Sequence, residues 1–343
     1  MRRLLLALVL AAGCGARTDL HLEEREGPDA GFFQTFPCRW SLGERLELAR
    51  GGPFTELTGA AHPVRSEVAL LASAGEARVG ARVSMGASPA RLASLEGHAG
   101  RLFTGPLGWL RQDARGCGLV AHDERFAEVG GVAWSTSGSC ALTQAVGGRI
   151  ESLPLAGDAV VSVAFPSVVP LLEIEEERSG GAVAYSPGEG VLVALETRTG
   201  LAIARPPDRL FLDGASAVSV APDRLRGGTL VLHRGPDGRF ELGHLRWGGS
   251  FELVRRAALG EHEPAGSLAS NETEALVPLR DGSMLFVVLS HFEQRVAEPV
   301  EPGGVDAMEI VLRPGESAGG LLYTHRLASG ESRLVFRSLV CNR

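Results

Sequence analysis

The chain has 343 residues, of which 44% are hydrophobic and 22% charged, with a net charge of −7. The hydrophobic content excludes a disordered chain, and the absence of a triplet or heptad period excludes collagen and coiled coils. The acidic balance argues against a nucleic-acid partner. All 34 Lys and Arg residues are arginine, which excludes chemistry that needs a lysine amine. The length suits two ordinary domains or one large all-β domain.

The first 13 residues are typical of a signal peptide. Arg2 and Arg3 precede nine apolar residues, Leu4 to Ala12, a run that is too short to span a bilayer. The run ends in Leu-Ala-Ala-Gly-Cys, which resembles the bacterial lipobox. That resemblance implies that residues 1–13 are removed and that Cys14 carries a diacylglycerol. The alternative is ordinary secretion, with cleavage at a nearby small residue.

Residues 14–37 include an acidic stretch, residues 23–29, and show neither period-2 nor helical patterning. We therefore expect a flexible acidic tether between the lipid and a folded body that starts at residue 38. The anchor implies a bacterial cell-envelope protein, periplasmic or on the outer-membrane surface, which meets the membrane through its N-terminal lipid.

The remaining cysteines are Cys38, Cys117, Cys140 and Cys341. An even number outside the cytoplasm favours two disulfides, and four cysteines allow three pairings. We expect Cys38–Cys341, which brackets the folded body, and Cys117–Cys140, which brackets a local hairpin. The competing metal site is disfavoured because no Cys-x-x-Cys is present.

Short β-compatible segments between turn residues fill the body. Predicted strands lie at 67–71, 118–121, 159–163, 181–185, 228–232, 284–289 and 320–323. Hairpin turns are predicted at Asp237-Gly238, Asp281-Gly282 and Ser329-Gly330. The first of these belongs to a three-strand meander that continues through a second turn at residues 248–249. Only residues 89–96 could form a short helical turn.

These segments recur at intervals of roughly 35–55 residues, close to the ~40–50 residues of a four-stranded propeller blade. Residues 184–190, 220–223 and 279–285 are similar to the Phe-Ser-Pro-Asp-Gly turn of TolB/WD40-like bacterial β-propellers. This resemblance implies an all-β fold over residues 38–343, with six or seven four-stranded blades closed by the N- and C-terminal strands. The alternatives are a pair of β-sandwiches and a β-solenoid. The four tryptophans are expected to pack between blades.

Catalytic motifs are weighed and not adopted. Gly315-Glu316-Ser317-Ala318-Gly319 matches Gly-x-Ser-x-Gly, but only 26 residues follow Ser317, they contain no aspartate, and a strand rather than a helix is predicted there. Residues 116–121 superficially fit a dinucleotide loop and are interpreted as a turn. Residues 122–124, 173–177 and 261–263 are acidic or histidine-containing and are interpreted as solvated loops rather than metal sites. We therefore predict no catalytic residue, no metal and no cofactor.

The expected function is a monomeric binding or scaffold module that recognises an envelope protein or peptide through its blade loops. Two alternatives stay open. One is a propeller hydrolase or lyase with its site in the central channel, and the other is a surface structural protein.

Overall fold

A computed structural model describes residues 39–113, 116–135, 140–144, 150–154, 159–173, 180–186, 190–205, 207–223, 228–245, 251–260, 262–271, 273–313 and 318–342. In this part of the chain every regular element is a β-strand. No helix in it is long and apolar enough to cross a membrane. Cys14, Cys38, Trp247 and Ser317 lie outside the described residues, as do the predicted signal peptide and tether.

Runs of Val, Leu, Ala and Thr between Gly, Pro and Asp turns form 28 strands across the described residues, because such residues fit a pleated and half-buried surface. The chain starts with β1 (Arg39–Gly51). Blade 1 then contains β2 (Thr55–Ala61), β3 (Glu67–Ala74), β4 (Ala77–Ser84) and β5 (Arg91–Ser94). Blade 2 contains β6 (Leu102–Thr104), β7 (Trp109–Gln112), β8 (Gly118–His122) and β9 (Glu128–Ala133). Blade 3 contains β10 (Cys140–Gln144), β11 (Ile150–Pro154), β12 (Val160–Ala164) and β13 (Ser167–Leu172).

The later blades repeat the arrangement. Blade 4 contains β14 (Gly180–Ser186), β15 (Gly190–Glu196), β16 (Gly200–Arg205) and β17 (Asp208–Asp213). Blade 5 contains β18 (Ser216–Pro222), β19 (Thr229–Arg234), β20 (Phe240–Leu245) and β21 (Leu253–Gly260). Blade 6 contains β22 (Ala269–Ser270), β23 (Glu274–Pro278), β24 (Met284–Val288) and β25 (Gln294–Ala297). Blade 7 contains β26 (Ala307–Leu312), β27 (Ala318–Arg326), β28 (Ser332–Asn342) and, as its outermost strand, β1.

The N-terminal strand closes the ring. β1 pairs antiparallel with β28, from Arg39 opposite Asn342 to Gly51 opposite Ser332. The prediction of an all-β propeller closed by its two terminal strands is confirmed, and the number of blades is seven. The predicted Cys38–Cys341 bridge lies outside the described residues because Cys38 does.

The antiparallel meander gives the ring two faces. We call the proximal face the one that carries the first-to-second and third-to-fourth turns of each blade, such as residues 62–66, 105–108 and 289–293. The distal face carries the second-to-third turns and the connections between blades, such as residues 95–101, 235–239 and 279–283. Because Arg39 lies opposite Asn342 at the end of the third strand of blade 7, the chain joins the propeller on the proximal face.

The apolar core lies mainly between neighbouring blades. Trp109 is fully buried and donates a hydrogen bond from Nε1 to the carbonyl of Ala60 in blade 1, at 3.0 Å. Trp134 donates to Ser152 Oγ of blade 3 at 3.0 Å. Together with Trp40, whose ring stacks on Phe286 of blade 6, these contacts show the inter-blade packing that was expected for the tryptophans.

Two local predictions are corrected. Residues 89–96 form no helical turn, because Arg91–Ser94 is the edge strand that completes blade 1. Cys117 and Cys140 are at disulfide distance with Cα atoms 5.2 Å apart, but the bridge does not bracket one hairpin. It joins the start of β8 in blade 2 to the start of β10 in blade 3, and therefore links two blades.

Candidate functional site

Polar side chains from three blades, and a backbone carbonyl from a fourth, meet at the distal end of the innermost strands. Arg101 precedes β6, Ser267 lies two residues before β22, and Glu309 is the third residue of β26. Arg101 Nη1 donates to the carbonyl of Leu142 on β10 at 3.0 Å, and Nη2 approaches Ser267 Oγ at 3.5 Å. Blades 2 and 6 are not neighbours in the ring, so the Arg101–Ser267 contact crosses its centre. We call Arg101, Ser267 and Glu309 the channel cluster.

Glu309 is the electrostatically unusual member of the channel cluster. Burial raises the pKa of its carboxyl to about 7, although the positive charge of Arg101 and a hydrogen bond from the Ser267 backbone act to lower it. Removal from water disfavours a carboxylate, and here this effect outweighs the nearby cation. Near neutral pH, the carboxyl therefore exchanges a proton with solvent beside a guanidinium that stays charged.

This chemistry suits recognition of polar or charged groups at the mouth of the channel. The guanidinium of Arg101 supplies donors for a carboxylate or carbonyl. The Glu309 carboxyl can donate a hydrogen bond when protonated and accept one when ionised. Among the described residues no group of three or more His, Cys, Asp and Glu side chains could hold a metal ion.

The distal face also carries a polar cleft of about 480 Å³ in blade 5. Its lining includes the turn at Asp237-Gly238 together with Arg234, Arg239 and Glu263. A second cleft, of about 380 Å³, opens between blades 6 and 7. Trp40, Phe286 and Leu339 give that cleft an apolar wall.

A chain of charged and aromatic side chains crosses from blade 5 to blade 6 near the proximal face. His244 Nε2 lies 3.2 Å from Asp223 Oδ2, and its Nδ1 lies 3.4 Å from Arg256 Nη2. Because arginine can only donate, Nδ1 is the acceptor in the contact with Arg256. The Arg256 guanidinium lies 4.3 Å from the centre of the Phe292 ring. The side chains of Asp223 and His244 are both 0% exposed, so this pair is closed to a substrate, and the contact of Arg256 with Phe292 joins the two blades.

Three histidines pack around Trp109 and Phe126 between blades 1 and 2. His62 meets Trp109 edge to face, and His98 contacts both His122 and Phe126. His122 Nδ1 lies 3.0 Å from the Phe126 carbonyl, while Nε2 accepts a hydrogen bond from Arg111 Nε. Burial lowers the pKa of all three imidazoles. They therefore act as neutral packing groups at neutral pH.

The side chains of residues 122–124 do not converge on one point. Asp123 Oδ1 accepts hydrogen bonds from the backbone of Arg125 and Ala127 and so builds a turn. Glu124 pairs with Arg65 of blade 1. His122, Asp123 and Glu124 therefore each contact different partners, and the three side chains do not form one site.

At residues 261–263 the described side chains contact residues of the blade 6 turn. Glu263 Oε1 lies 2.8 Å from Arg280 Nε, and His262 Nδ1 lies 3.7 Å from Asp281 Oδ2. These contacts join the segment between blades 5 and 6 to the blade 6 turn at Asp281-Gly282. The side chains of His262 and Glu263 are both more than half exposed.

The described part of the Gly-x-Ser-x-Gly match lies in a strand, since Ala318–Arg326 is β27. A Cβ atom on Gly319 would lie 2.2 Å from the carbonyl oxygen of Val311, and one on Gly320 would lie 2.2 Å from the Phe336 ring. These glycines thus allow close approach to β26 and to an aromatic side chain. A nucleophile elbow needs a helix at this point, and none is present.

Sequence reasoning did not find the channel cluster. Its members are about 165 and 40 residues apart and belong to no motif. A usable signal would be a polar residue at the start of the innermost strand of each blade, but only the blade register reveals which strands are innermost.

No protein-family model and no curated protein sequence matches the chain. Solved structures do resemble it. The β-propeller domain of Cps50 (Swd1) from Myceliophteria thermophila superposes with a TM-score of 0.53 at 10% identity, over 84% of this chain and 99% of that one. BBS1N in complex with ARL6DN superposes with a TM-score of 0.54 at 12% identity, over 88% of this chain and 97% of that one. At these identities the similarity establishes the β-propeller fold alone.

Proposed function

We propose that the protein is a lipid-anchored binding module of the bacterial cell envelope. In this proposal Cys14 carries the lipid, and the distal face binds a protein or peptide partner at the channel cluster. The observation that carries it is the placement of Arg101, Ser267 and Glu309 on the face opposite Arg39. A partner at the channel mouth would therefore not compete with the segment that leads to the anchor.

Two further points support a protein partner. The BBS1N propeller, which has the same fold, is found in a complex with another protein, ARL6DN. The distal face also combines the channel cluster with the polar cleft around Asp237 and Glu263. Several blades thus contribute polar groups to one face, an arrangement that suits an extended peptide or a protein surface.

A site-specific photo-crosslinking experiment tests the distal face. A benzoylphenylalanine at Ser267 of the full-length protein is expected to give one defined adduct with a cell-envelope protein, and Arg101→Glu should weaken it at least tenfold. The matched control position is Val169, which is 52% exposed on the outer strand β13. Equal adducts at both positions, or an adduct at Ser267 that Arg101→Glu leaves unchanged, would refute the proposed site.

The anchor is tested separately. Metabolic labelling with a palmitate analogue should mark the wild-type protein and leave Cys14→Ser unmarked. Equal labelling of the two proteins would refute lipidation at Cys14 and would leave the crosslinking result intact.

One observation favours the alternative of a channel hydrolase or lyase: a carboxyl with a pKa of about 7 in the channel can accept and return a proton at neutral pH. A hydrolytic or eliminating activity on envelope polymers that is lost in Glu309→Gln would support this second function. The same activity in wild type and variant would exclude Glu309 as its acid or base.

A further inference from the structure

The proximal face carries two strongly exposed apolar side chains. Val64 and Leu107 are each 75% exposed, and no other large hydrophobic side chain among the described residues exceeds 57%. Each occupies the first-to-second turn of its blade, at residues 62–66 and 105–108. Single exposed apolar residues are ordinary on protein surfaces. Val64 and Leu107, in contrast, lie at the tips of neighbouring loops and belong to the same surface.

The two turns are held next to each other. Thr104 Oγ1 donates a hydrogen bond of 2.9 Å to the carbonyl of Ala61, so β6 and β2 meet where both turns begin. His62 Nδ1 then accepts the backbone N–H groups of Val64 and Arg65 at 3.1 and 3.0 Å. Arg313 of blade 7 donates to the carbonyl of Val64. The Val64 tip is thus fixed by its own turn and by another blade.

Charges of both signs lie next to these tips. Arg65 forms ion pairs with Glu124 and Glu67, and Glu67 also pairs with Arg82, so these charged groups are largely paired with one another. Apolar contact is the interaction that Val64 and Leu107 offer.

We infer that the proximal face rests on a lipid bilayer through the tips of Val64 and Leu107. The choice of a bilayer as the binding partner depends on the proposed lipid anchor at Cys14. The 24 residues between Cys14 and Arg39 would have a root-mean-square length of about 27 Å as a flexible chain. Because Arg39 is on the proximal face, the anchor keeps that face close to the membrane. The effective concentration given by such a tether is on the order of millimolar, so even a weak contact orients the propeller.

This orientation also concerns the partner. With Val64 and Leu107 at the bilayer, the channel cluster on the distal face points away from the membrane. The contact therefore presents the proposed binding site to the compartment rather than to the lipid.

Vesicle co-sedimentation tests the contact without the anchor. The chain from residue 15 onward, which keeps every described strand, is mixed with phosphatidylcholine vesicles at millimolar lipid. We expect measurable sedimentation, and we expect the double variant Val64→Asp, Leu107→Asp to lower the partition coefficient at least about tenfold. The matched control is Val296→Asp, a 55% exposed valine on the outer strand β25, which should sediment like the parent.

Two results would overturn the inference. One is the absence of vesicle binding by the parent chain, and the other is equal binding by the parent and the double variant. Thermal unfolding of all three proteins establishes that each is folded, since the exchanged side chains are exposed. Because residue 14 is absent from these proteins, a failure of palmitate labelling at Cys14 would change neither result.

Discussion

The indole N–H of Trp40 donates a hydrogen bond of 2.6 Å to the carboxylate of Glu274, which is fully buried. Trp40 is the second residue of β1, and Glu274 starts β23 in blade 6. The closing strand is therefore attached to two blades, to blade 7 by its backbone ladder and to blade 6 by this side chain.

Replacing Trp40 by Phe should destabilise the protein by about 1.5–3 kcal/mol, because it removes a part-buried hydrogen bond to a carboxylate that is also paired with Arg295, at 2.8 Å. The matched control is Trp134→Phe, which removes a hydrogen bond to the neutral hydroxyl of Ser152 and should cost only about 0.5–1.5 kcal/mol. Urea denaturation measures both free energies of unfolding. Equal costs would mean that the charge of Glu274 adds nothing to ring closure.

Gly320→Ala should destabilise the protein by about 1–3 kcal/mol through overpacking, since its Cβ would overlap the Phe336 ring. Gly130 is a suitable control, because it lies in β9 and has no atom within 4 Å of its Cβ position. Gly130→Ala should change the free energy of unfolding by less than about 0.5 kcal/mol. A neutral Gly320→Ala would show that the Phe336 side chain moves aside at no cost.

Reduction of the Cys117–Cys140 bridge should lower the free energy of unfolding by about 3 kcal/mol, given a sequence separation of 23 residues. Thermal unfolding with and without reductant measures this change. The double variant Cys117→Ser, Cys140→Ser should start from the lower stability and lose its response to reductant at this bridge. A variant as stable as the oxidised wild type would contradict the prediction.

Glu309 should make the protein less stable as the pH rises from 4.5 to about 7. Its folded pKa is about 7 against an ordinary value of 4.5, so the unfolded chain releases its proton first over that range. The variant Glu309→Gln cannot ionise at this position, so it should not lose stability in this way as the pH rises. We expect equal stability of variant and wild type near pH 4.5, and a gain of about 1–3 kcal/mol for the variant at pH 8. Urea denaturation at the two pH values measures the free energies of unfolding. If the variant differs from wild type by the same amount at both, Glu309 is not the group responsible for the pH dependence.

Histidines with a lowered pKa should have the opposite effect on the pH dependence of stability: they should make the protein less stable as the pH falls. Burial lowers the pKa of His62, His98, His122 and His233 from the ordinary value of 6.5. Below pH 6.5 the unfolded chain therefore takes up protons before the folded protein does, and stability falls. This fall is best measured by urea denaturation between pH 7.5 and 5.5 in the Glu309→Gln variant, where the opposing group is absent. Stability that stays constant over this range would contradict the prediction.

The fold could be predicted from sequence because each blade is a local meander with its own turn signals. Asp237-Gly238 joins β19 to β20, and Ser329-Gly330 joins β27 to β28, as the hairpin signals indicate. The short edge strand Arg91–Ser94 was missed, because two of its four residues are charged or polar and three are exposed. Its strand conformation comes from pairing with β4.

The channel cluster could not be predicted in the same way. Arg101 and Glu309 are 208 positions apart and come together only because seven blades close into one ring. The Cys117–Cys140 pair could be predicted from the sequence, since four cysteines allow only three pairings. Its role between two blades, in contrast, depended on where blade 2 ends and blade 3 begins.

The closing strand also sets a temporal order for the growing chain. Arg39 emerges from the ribosome before its partner Asn342, which lies 303 positions further along the chain. Until then β1 has no edge to pair with, and the first and last blades share an open seam. Completion of the ring is therefore a late event with very large sequence separation, which slows folding.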